Sequence, residues 1–140
     1  MVFRKEHILE RLKKLETVIE NLKGKTVHSV EQYSRDLDLQ WMVERGLEIA
    51  SSAILDIGNH ILAGHYKVSV DEYEQILQQL EAKKVISSEL YKELRGLGGF
   101  RNILVHDYLS LDHEIVYSHY KKAFTVFPRF IAEIYGWLEE

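Results

Sequence analysis

The sequence of 140 residues contains no cysteine, so neither disulfide bonds nor zinc sites with thiolate ligands can form. No apolar run approaches the roughly 20 residues that span a bilayer. Residues 1–6 lead into charged positions and lack the apolar region of a signal peptide. These absences are compatible with a reducing cytoplasm, and we predict a cytoplasmic protein that does not associate with membranes.

Positive charge is also scarce, because 18 Lys and Arg residues face 22 Asp and Glu residues, for a formal net charge of −4. Proteins that bind RNA through its phosphates are usually basic. The composition therefore argues against tight non-specific RNA binding, although a small cationic site is compatible with an acidic whole. The length fits one domain, residues 1–140, with a single core.

No strand alternation of useful length is present, and helical periodicity dominates. Apolar residues that step by three and four predict a helix over 8–22, with Gly24 as its stop. A longer stripe over 39–61 predicts a second helix that ends at Gly64. We predict an all-α, up-and-down bundle of four long helices plus a short one.

The short third helix is predicted to open at a capping box, Ser69-Val70-Asp71-Glu72. Ser87 or Ser88 is the predicted cap of the fourth helix. That helix carries a leucine stripe: Leu90, Leu94, Leu97 and Leu104. A fifth stripe covers 116–137, and Pro128 should kink or divide it because proline removes a backbone donor and clashes with the preceding turn.

The most informative segment is Arg101-Asn102-Ile103-Leu104-Val105-His106-Asp107-Tyr108. Arg101 can bind phosphate oxygens with a planar fork of donors. An imidazole such as that of His106 can give or take a proton near neutrality. Such a set can hold a phosphodiester and move a proton without a metal. Five residues on a regular helix separate side chains by about 140°, so either the helix loosens near His106 or another chain completes the site.

This segment resembles the RX4-6H signature of HEPN domains, and its RX4HXY form is similar to the HepT family of toxin ribonucleases. Residues 43–47 and 53–61 look like that family's second helix, and residues 98–102 look like its approach to the motif. The resemblance implies a homodimer with an RNA cleft at the subunit interface and products with 2′,3′-cyclic phosphate ends. It further implies an MntA-like nucleotidyltransferase antitoxin that transfers AMP to Tyr108.

The first functional hypothesis is a metal-independent endoribonuclease toxin. The 2′-hydroxyl of RNA is the nucleophile, His106 is the general base or acid, and Arg101 stabilises the negative transition state. Asn102 is predicted to support the site through hydrogen bonds. Because one chain supplies a single motif histidine, a two-fold dimer would give one histidine for each proton transfer. The competing hypothesis is a non-catalytic HEPN helical module that binds nucleotide or a nucleotidyltransferase partner.

Each motif residue also has a structural interpretation. Arg101 could form a surface or interhelix salt bridge, His106 could contact helix-end carbonyls, and Tyr108 could pack its ring and hydrogen-bond its hydroxyl. The segment Glu44-Arg45 is interpreted as a structural ion pair. Separation of the two functional hypotheses requires RNA cleavage by the purified protein and its loss in His106→Ala.

Other polar residues are assigned weaker roles. A line of four residues spaced by four follows the second helix: Glu48, Ser52, Asp56 and His60. It is either a solvated face or, in part, a surface that faces Arg101 and balances its charge. No histidine pair or carboxylate–histidine set has a recognised metal-ligand spacing, so we predict neither a metal nor a cofactor. Gly96, Gly98 and Gly99 are expected to permit close helix packing beside the motif.

Overall fold

The computed structural model describes residues 1–24, 27–107, 109 and 111–140. These residues form helices and no strand, which confirms the predicted all-α bundle. Eight α-helical segments are described: α1 (Lys5–Lys23), α2 (Val30–Arg35), α3 (Leu37–His60), α4 (Tyr73–Ala82), α5 (Ser88–Leu94), α6 (Leu97–His106), α7 (His113–Thr125) and α8 (Phe127–Leu138). Within the described part of the chain, no helix combines the length and apolar character needed to cross a membrane.

Helices α1 and α3 pack along each other at the centre of the bundle and confirm the first two predicted helices. Their apolar stripes are buried in one core, including Leu12, Leu15 and Leu47. Helix α3 starts after Asp36, whose side chain accepts a hydrogen bond from the Leu39 amide at 3.1 Å. The central pair therefore follows from periodicity and capping together.

The end of α3 differs from the prediction, which had the helix stop at Gly64. The α-helix ends at His60 and the chain continues as a π-helical turn over Ile61–His65. The Tyr66 amide donates to the Ile61 carbonyl at 3.3 Å, the five-residue spacing of a π-turn. Ile61 is fully buried, so the wider turn keeps the apolar stripe in the core.

The predicted capping box at 69–72 is wrong in position. Helix α4 begins at Tyr73, and the box forms three residues later than predicted, between Glu72 and Gln75, with the Glu72 amide donating to the Gln75 side chain at 3.3 Å. Ser69 lies upstream of the helix. Ser69 with Glu72 and Glu72 with Gln75 both have the spacing of three that a capping box requires. A helix that starts at the later pair buries Ile76 in the core.

The predicted fourth helix is two helices. Ser87 caps α5 as expected, accepting from the Leu90 amide at 3.1 Å, but α5 ends at Leu94 and α6 starts at Leu97. Gly96 between them has φ 93°, a left-handed conformation that favours glycine. The leucine spacing continues across this break, so periodicity alone could not detect it.

The division of the fifth stripe at Pro128 is confirmed. Helix α7 ends at Thr125, α8 starts at Phe127, and Pro128 occupies the first turn of α8, where a missing N–H is tolerated. Helix α2 was not predicted. It has six residues and buries only Tyr33, so it carries no apolar stripe. Its cap is Ser29, which accepts from the Gln32 amide at 3.1 Å.

Candidate functional site

Helix α6 carries most of the Arg–His motif. It is α-helical through His106 and ends there, with Asp107 at φ −138° and ψ 59°. Of the two alternatives for the five-residue offset, the one in which the helix loosens near His106 is therefore wrong. In a regular helix the five-residue offset leaves Arg101 and His106 about 140° apart around the axis. Tyr108, and with it the predicted modification site, lies outside the described residues.

The first turn of α4 holds the start of α6. The Glu74 carboxylate accepts hydrogen bonds from the backbone amides of Gly96 at 2.9 Å and Gly98 at 3.1 Å. A negative group is favoured there because a helix N-terminus carries partial positive charge and unpaired N–H groups. This contact fixes α6 to α4 immediately before the motif.

Close packing beside the motif depends on Gly98. A Cβ atom at this position would lie 2.7 Å from the Glu74 amide nitrogen and 3.0 Å from the Tyr73 carbonyl carbon. The packing prediction is thus confirmed for Gly98. It is wrong for Gly96 and Gly99, where an added Cβ would meet nothing within 4 Å. Gly96 serves the left-handed turn instead, and Gly99 is exposed.

The Arg101 side chain is partly exposed and has three neighbours from three elements. Its guanidinium carbon lies 4.6 Å from the ring centroid of Tyr73 in α4. Its Nε lies 3.5 Å from the Ser52 hydroxyl in α3, and one terminal nitrogen lies 3.4 Å from the Asn102 side-chain oxygen. Asn102 thus contacts Arg101, and its supporting role in the site stays a prediction.

The salt-bridge interpretation of Arg101 is wrong. Among the residues that the structure describes, the ion pair within 4 Å is Arg45–Glu48, at 2.9 Å. Glu44 instead accepts a hydrogen bond from the Tyr33 hydroxyl, so the predicted Glu44–Arg45 ion pair is also wrong. The guanidinium of Arg101 keeps an unneutralised positive charge beside an aromatic ring and two neutral oxygens.

The polar line along α3 divides into three environments. Ser52 contacts Arg101, which confirms that part of the line faces the motif. The carboxylates of the line, Glu48 and Asp56, form no ion pair with Arg101, so they do not balance its charge. Asp56 is exposed and fits a solvated face. His60 does not, because it is 5% exposed and its Nε2 accepts a hydrogen bond from the Arg4 amide at 2.8 Å.

His60 also stacks on the His7 ring, with centroids 4.0 Å apart and planes 13° from parallel. Burial and then the His7 ring lower the pKa of His60. Burial, followed by the Arg11 charge, lowers the pKa of His7 as well. The hydrogen bond from the Arg4 amide requires an unprotonated Nε2 on His60. His60 therefore holds the N-terminal segment while its imidazole is neutral.

His106 is exposed at the C-terminal end of α6. Asn102, one turn earlier, is exposed as well. The motif therefore presents a cation held against α4 and an imidazole open to solvent.

His119 in α7 packs against the residue that precedes the motif. Its ring stacks on Phe100, the residue before Arg101, with centroids 3.8 Å apart and planes 6° from parallel. Burial, with a smaller contribution from Lys122, lowers the pKa of His119 to about 4. Sequence analysis missed both His119 and Tyr73, because neither lies in the motif and both reach it through tertiary packing.

Within the described residues, no group of three or more histidine, aspartate and glutamate side chains is arranged to hold a metal ion. The groups assembled around α6 are a guanidinium, an imidazole, an amide and a hydroxyl. This set can bind an anion through the guanidinium and exchange a proton through the imidazole.

Comparison with known proteins gives a consistent result. The sequence pattern of the ribonuclease HepT-like family matches residues 8–134. The tRNA nuclease HepT of Aphanizomenon flos-aquae is 28% identical over 131 residues, 93% of this chain and 82% of that protein. The mRNA nuclease HepT of Shewanella oneidensis is 32% identical over 104 residues, 71% of this chain and 75% of that protein.

Solved structures share the fold. A tri-AMPylated HEPN toxin from Shewanella oneidensis, in complex with an MNT antitoxin, superposes with a TM-score of 0.82 at 25% identity. The match covers 95% of this chain and 99% of that one.

Proposed function

Because this chain belongs to the ribonuclease HepT-like family, we propose that it is the toxin of a toxin–antitoxin pair and that it cleaves RNA. The observation that carries this proposal is the Arg101 guanidinium, which is partly exposed and lacks a carboxylate partner among the described residues. A guanidinium left in this state can bind the phosphate of a substrate. The tRNA and mRNA nuclease relatives support RNA as that substrate.

The proposed reaction needs no metal. The 2′-hydroxyl of RNA attacks the adjacent phosphorus, the bond to the 5′ oxygen breaks, and a 2′,3′-cyclic phosphate remains. His106 takes the 2′ proton or gives a proton to the leaving oxygen. Arg101 stabilises the extra negative charge on the phosphate oxygens in the transition state, and Asn102 supports Arg101.

The regular geometry of α6 favours a site built by two chains. Arg101 and His106 of one chain point in different directions, since the helix does not loosen before His106. We propose a symmetric homodimer in which Arg101 and His106 of both copies line one groove, as isologous two-fold pairing permits. Light scattering at micromolar concentration should give a dimer mass, and a strictly monomeric protein would contradict the shared site.

Cleavage is tested with purified protein, RNA and EDTA. We expect cyclic phosphate ends to form with the chelator present, and His106→Ala to remove the activity without unfolding the protein. His28→Ala is the matched control, because His28 is exposed and outside the motif. Cleavage that persists in folded His106→Ala would favour another mechanism, and inhibition by EDTA that added metal reverses would exclude the metal-free one.

The competing function is a non-catalytic module that binds nucleotide or a nucleotidyltransferase. The net charge of −4 favours it, because an acidic protein attracts RNA weakly at long range. A protein that binds its nucleotidyltransferase partner tightly but leaves every RNA intact would support this alternative.

Regulation is proposed to act at Tyr108. An MntA-like nucleotidyltransferase antitoxin would transfer AMP from ATP to the Tyr108 hydroxyl and release pyrophosphate. The support is the RX4HXY string and the AMPylated toxin in the solved complex with an MNT antitoxin. Each AMP adds negative charge and bulk two residues from His106, which would repel RNA and fill the groove.

This modification is tested by incubating the chain with the antitoxin and ATP, followed by intact-mass and peptide mass spectrometry. Tyr108→Phe should keep ribonuclease activity and escape neutralisation. AMP found on another tyrosine, such as Tyr91 or Tyr117, would refute the assignment to Tyr108.

A further inference from the structure

The geometry points to Tyr73, the first residue of α4, as the residue that positions the Arg101 guanidinium for phosphate. This role rests on the proposed function of Arg101 and extends it to a residue outside the motif. Tyr73 is a positioning residue here, since it acts through Arg101.

The Tyr73 ring is the strongest restraint on the guanidinium. The Ser52 and Asn102 oxygens lie 3.5 Å and 3.4 Å from the arginine nitrogens, both at the long limit for hydrogen bonds. The ring centroid lies 4.6 Å from the guanidinium carbon, well inside the range at which an aromatic face attracts a cation.

The type of contact matters for binding a phosphate. A carboxylate would occupy the N–H groups of Arg101, whereas a ring holds the guanidinium by its face. The N–H groups that do not contact Ser52 or Asn102 stay available for bonds to phosphate oxygens. An aromatic partner therefore restrains the cation without neutralising it.

The ring is itself fixed relative to α6. Glu74, the next residue, accepts the amides of Gly96 and Gly98, and Gly98 lets the Tyr73 backbone approach α6 closely. Arg101 lies three residues after Gly98, about one helical turn further along. The α4 contact and the cation thus lie on the same face of α6.

The phenol hydroxyl has no part in this role. Across the described part of the chain, the Tyr73 ring contacts Arg101, and no hydrogen bond of its hydroxyl is present. Phenylalanine at position 73 should therefore still position Arg101. Leucine fills space but has no aromatic face, so it should not position Arg101.

The first experiment measures kcat/KM for RNA cleavage. Tyr73→Leu should lower it about 5- to 30-fold, the range that corresponds to losing one cation–π contact, and Tyr73→Phe should stay within about twofold of the wild type. Tyr91→Leu is the matched control, because Tyr91 is a partly buried tyrosine on α5. Thermal unfolding of each variant establishes that it is folded.

A double-mutant cycle then separates positioning from general support. The affinity for a 2′-O-methyl RNA, which lacks the nucleophile, is measured for Tyr73→Leu in the wild-type and Arg101→Ala backgrounds. We expect Tyr73→Leu to weaken binding only while Arg101 is present. An equal loss in both backgrounds would overturn the proposal, because Tyr73 would then act without Arg101.

The second experiment needs no RNA. In the NMR spectrum of the full chain, the ring current of Tyr73 should move the Arg101 Nε–H resonance, assigned by its absence in Arg101→Ala. Tyr73→Phe should keep this displacement, Tyr73→Leu should abolish it, and the Arg45 resonance should not change.

The RNA measurements and the NMR measurement test different claims. A displaced Arg101 resonance in a protein that cleaves no RNA would refute the proposed function and leave the Tyr73–Arg101 contact standing. An Arg101 resonance that does not respond to Tyr73→Leu would overturn the positioning role, whatever the activity.

Discussion

The two ends of helix α6 are restrained very differently. At its start, Glu74 binds the backbone, Gly98 packs closely on α4 and His119 stacks on Phe100. At its end, His106 is exposed to solvent. The protein thus fixes the proposed anion-binding group within one chain and leaves the proposed proton-transfer group to be placed by a second copy or by RNA.

The largest expected effect comes from removing each motif side chain. Arg101→Ala and His106→Ala should each lower kcat/KM by roughly 10²- to 10⁴-fold. Only Arg101→Ala should also lower the free energy of unfolding, by about 1 kcal/mol, because it alone loses a ring contact. RNA cleavage and urea unfolding measure the two effects. If His106→Ala lowered the free energy of unfolding more than Arg101→Ala does, the end of α6 would be more restrained than its start.

The next effect is acid loosening of the start of α6. The pKa of His119 is lowered from its usual 6.5 to about 4, so the unfolded chain binds more protons below pH 6.5. The stability that neutral His119 gives is therefore complete above pH 6.5. It is lost as the pH falls toward about 4, by an amount on the order of 3 kcal/mol.

His119→Phe keeps a ring against Phe100 and removes the titrating group. Urea unfolding at about pH 7 and about pH 5 should show a smaller acid loss in this variant than in the wild type. Some loss should remain, because burial lowers the pKa values of His7 and His60 too. Equal acid losses in wild type and variant would show that His119 does not titrate on unfolding.

A smaller effect is expected from adjacent glycines. Gly98→Ala should lower the free energy of unfolding by about 1–3 kcal/mol, because its Cβ would meet α4 backbone atoms at 2.7 Å and 3.0 Å. Gly99→Ala, with open space at its Cβ, should raise the free energy of unfolding by up to about 1 kcal/mol. Thermal and denaturant unfolding compare the two variants. Equal changes in their free energy of unfolding would show that Gly98 does not form the close contact between α4 and α6.

The smallest effect should come from the carboxylate that binds the start of α6. The Gly96 and Gly98 amides bond to different oxygens of Glu74, so Glu74→Gln keeps one acceptor oxygen, replaces the other with an NH2 group and removes the charge, at a cost of about 1 kcal/mol. Added salt should reduce the difference from wild type. Glu93→Gln on the exposed face of α5 is the control and should change stability less.

The sequence predicts the parts of the fold that repeat locally. Stripes predict α1 and α3, Ser87 is a recognisable cap, and Pro128 divides the last stripe. The break at Gly96 is hidden because the leucine spacing continues through it, and α2 is too short for a stripe.

The candidate site shows the same limit. The motif predicts Arg101, His106 and Asn102 as site residues from residue type and spacing. The Tyr73 and His119 contacts join residues far apart in the chain, so they depend on how α4 and α7 pack on α6. A single sequence does not encode those distances in any periodic pattern.

The π-helical turn at Ile61–His65 has a consequence for the lengths of related chains. It holds one residue more than an α-helical turn, so the loss of one residue here would restore α-helical geometry and leave α3 unchanged before it. The same deletion inside α3 would rotate every later side chain by about 100° and turn the buried stripe away from the core. Single-residue deletions among relatives should therefore fall at this turn.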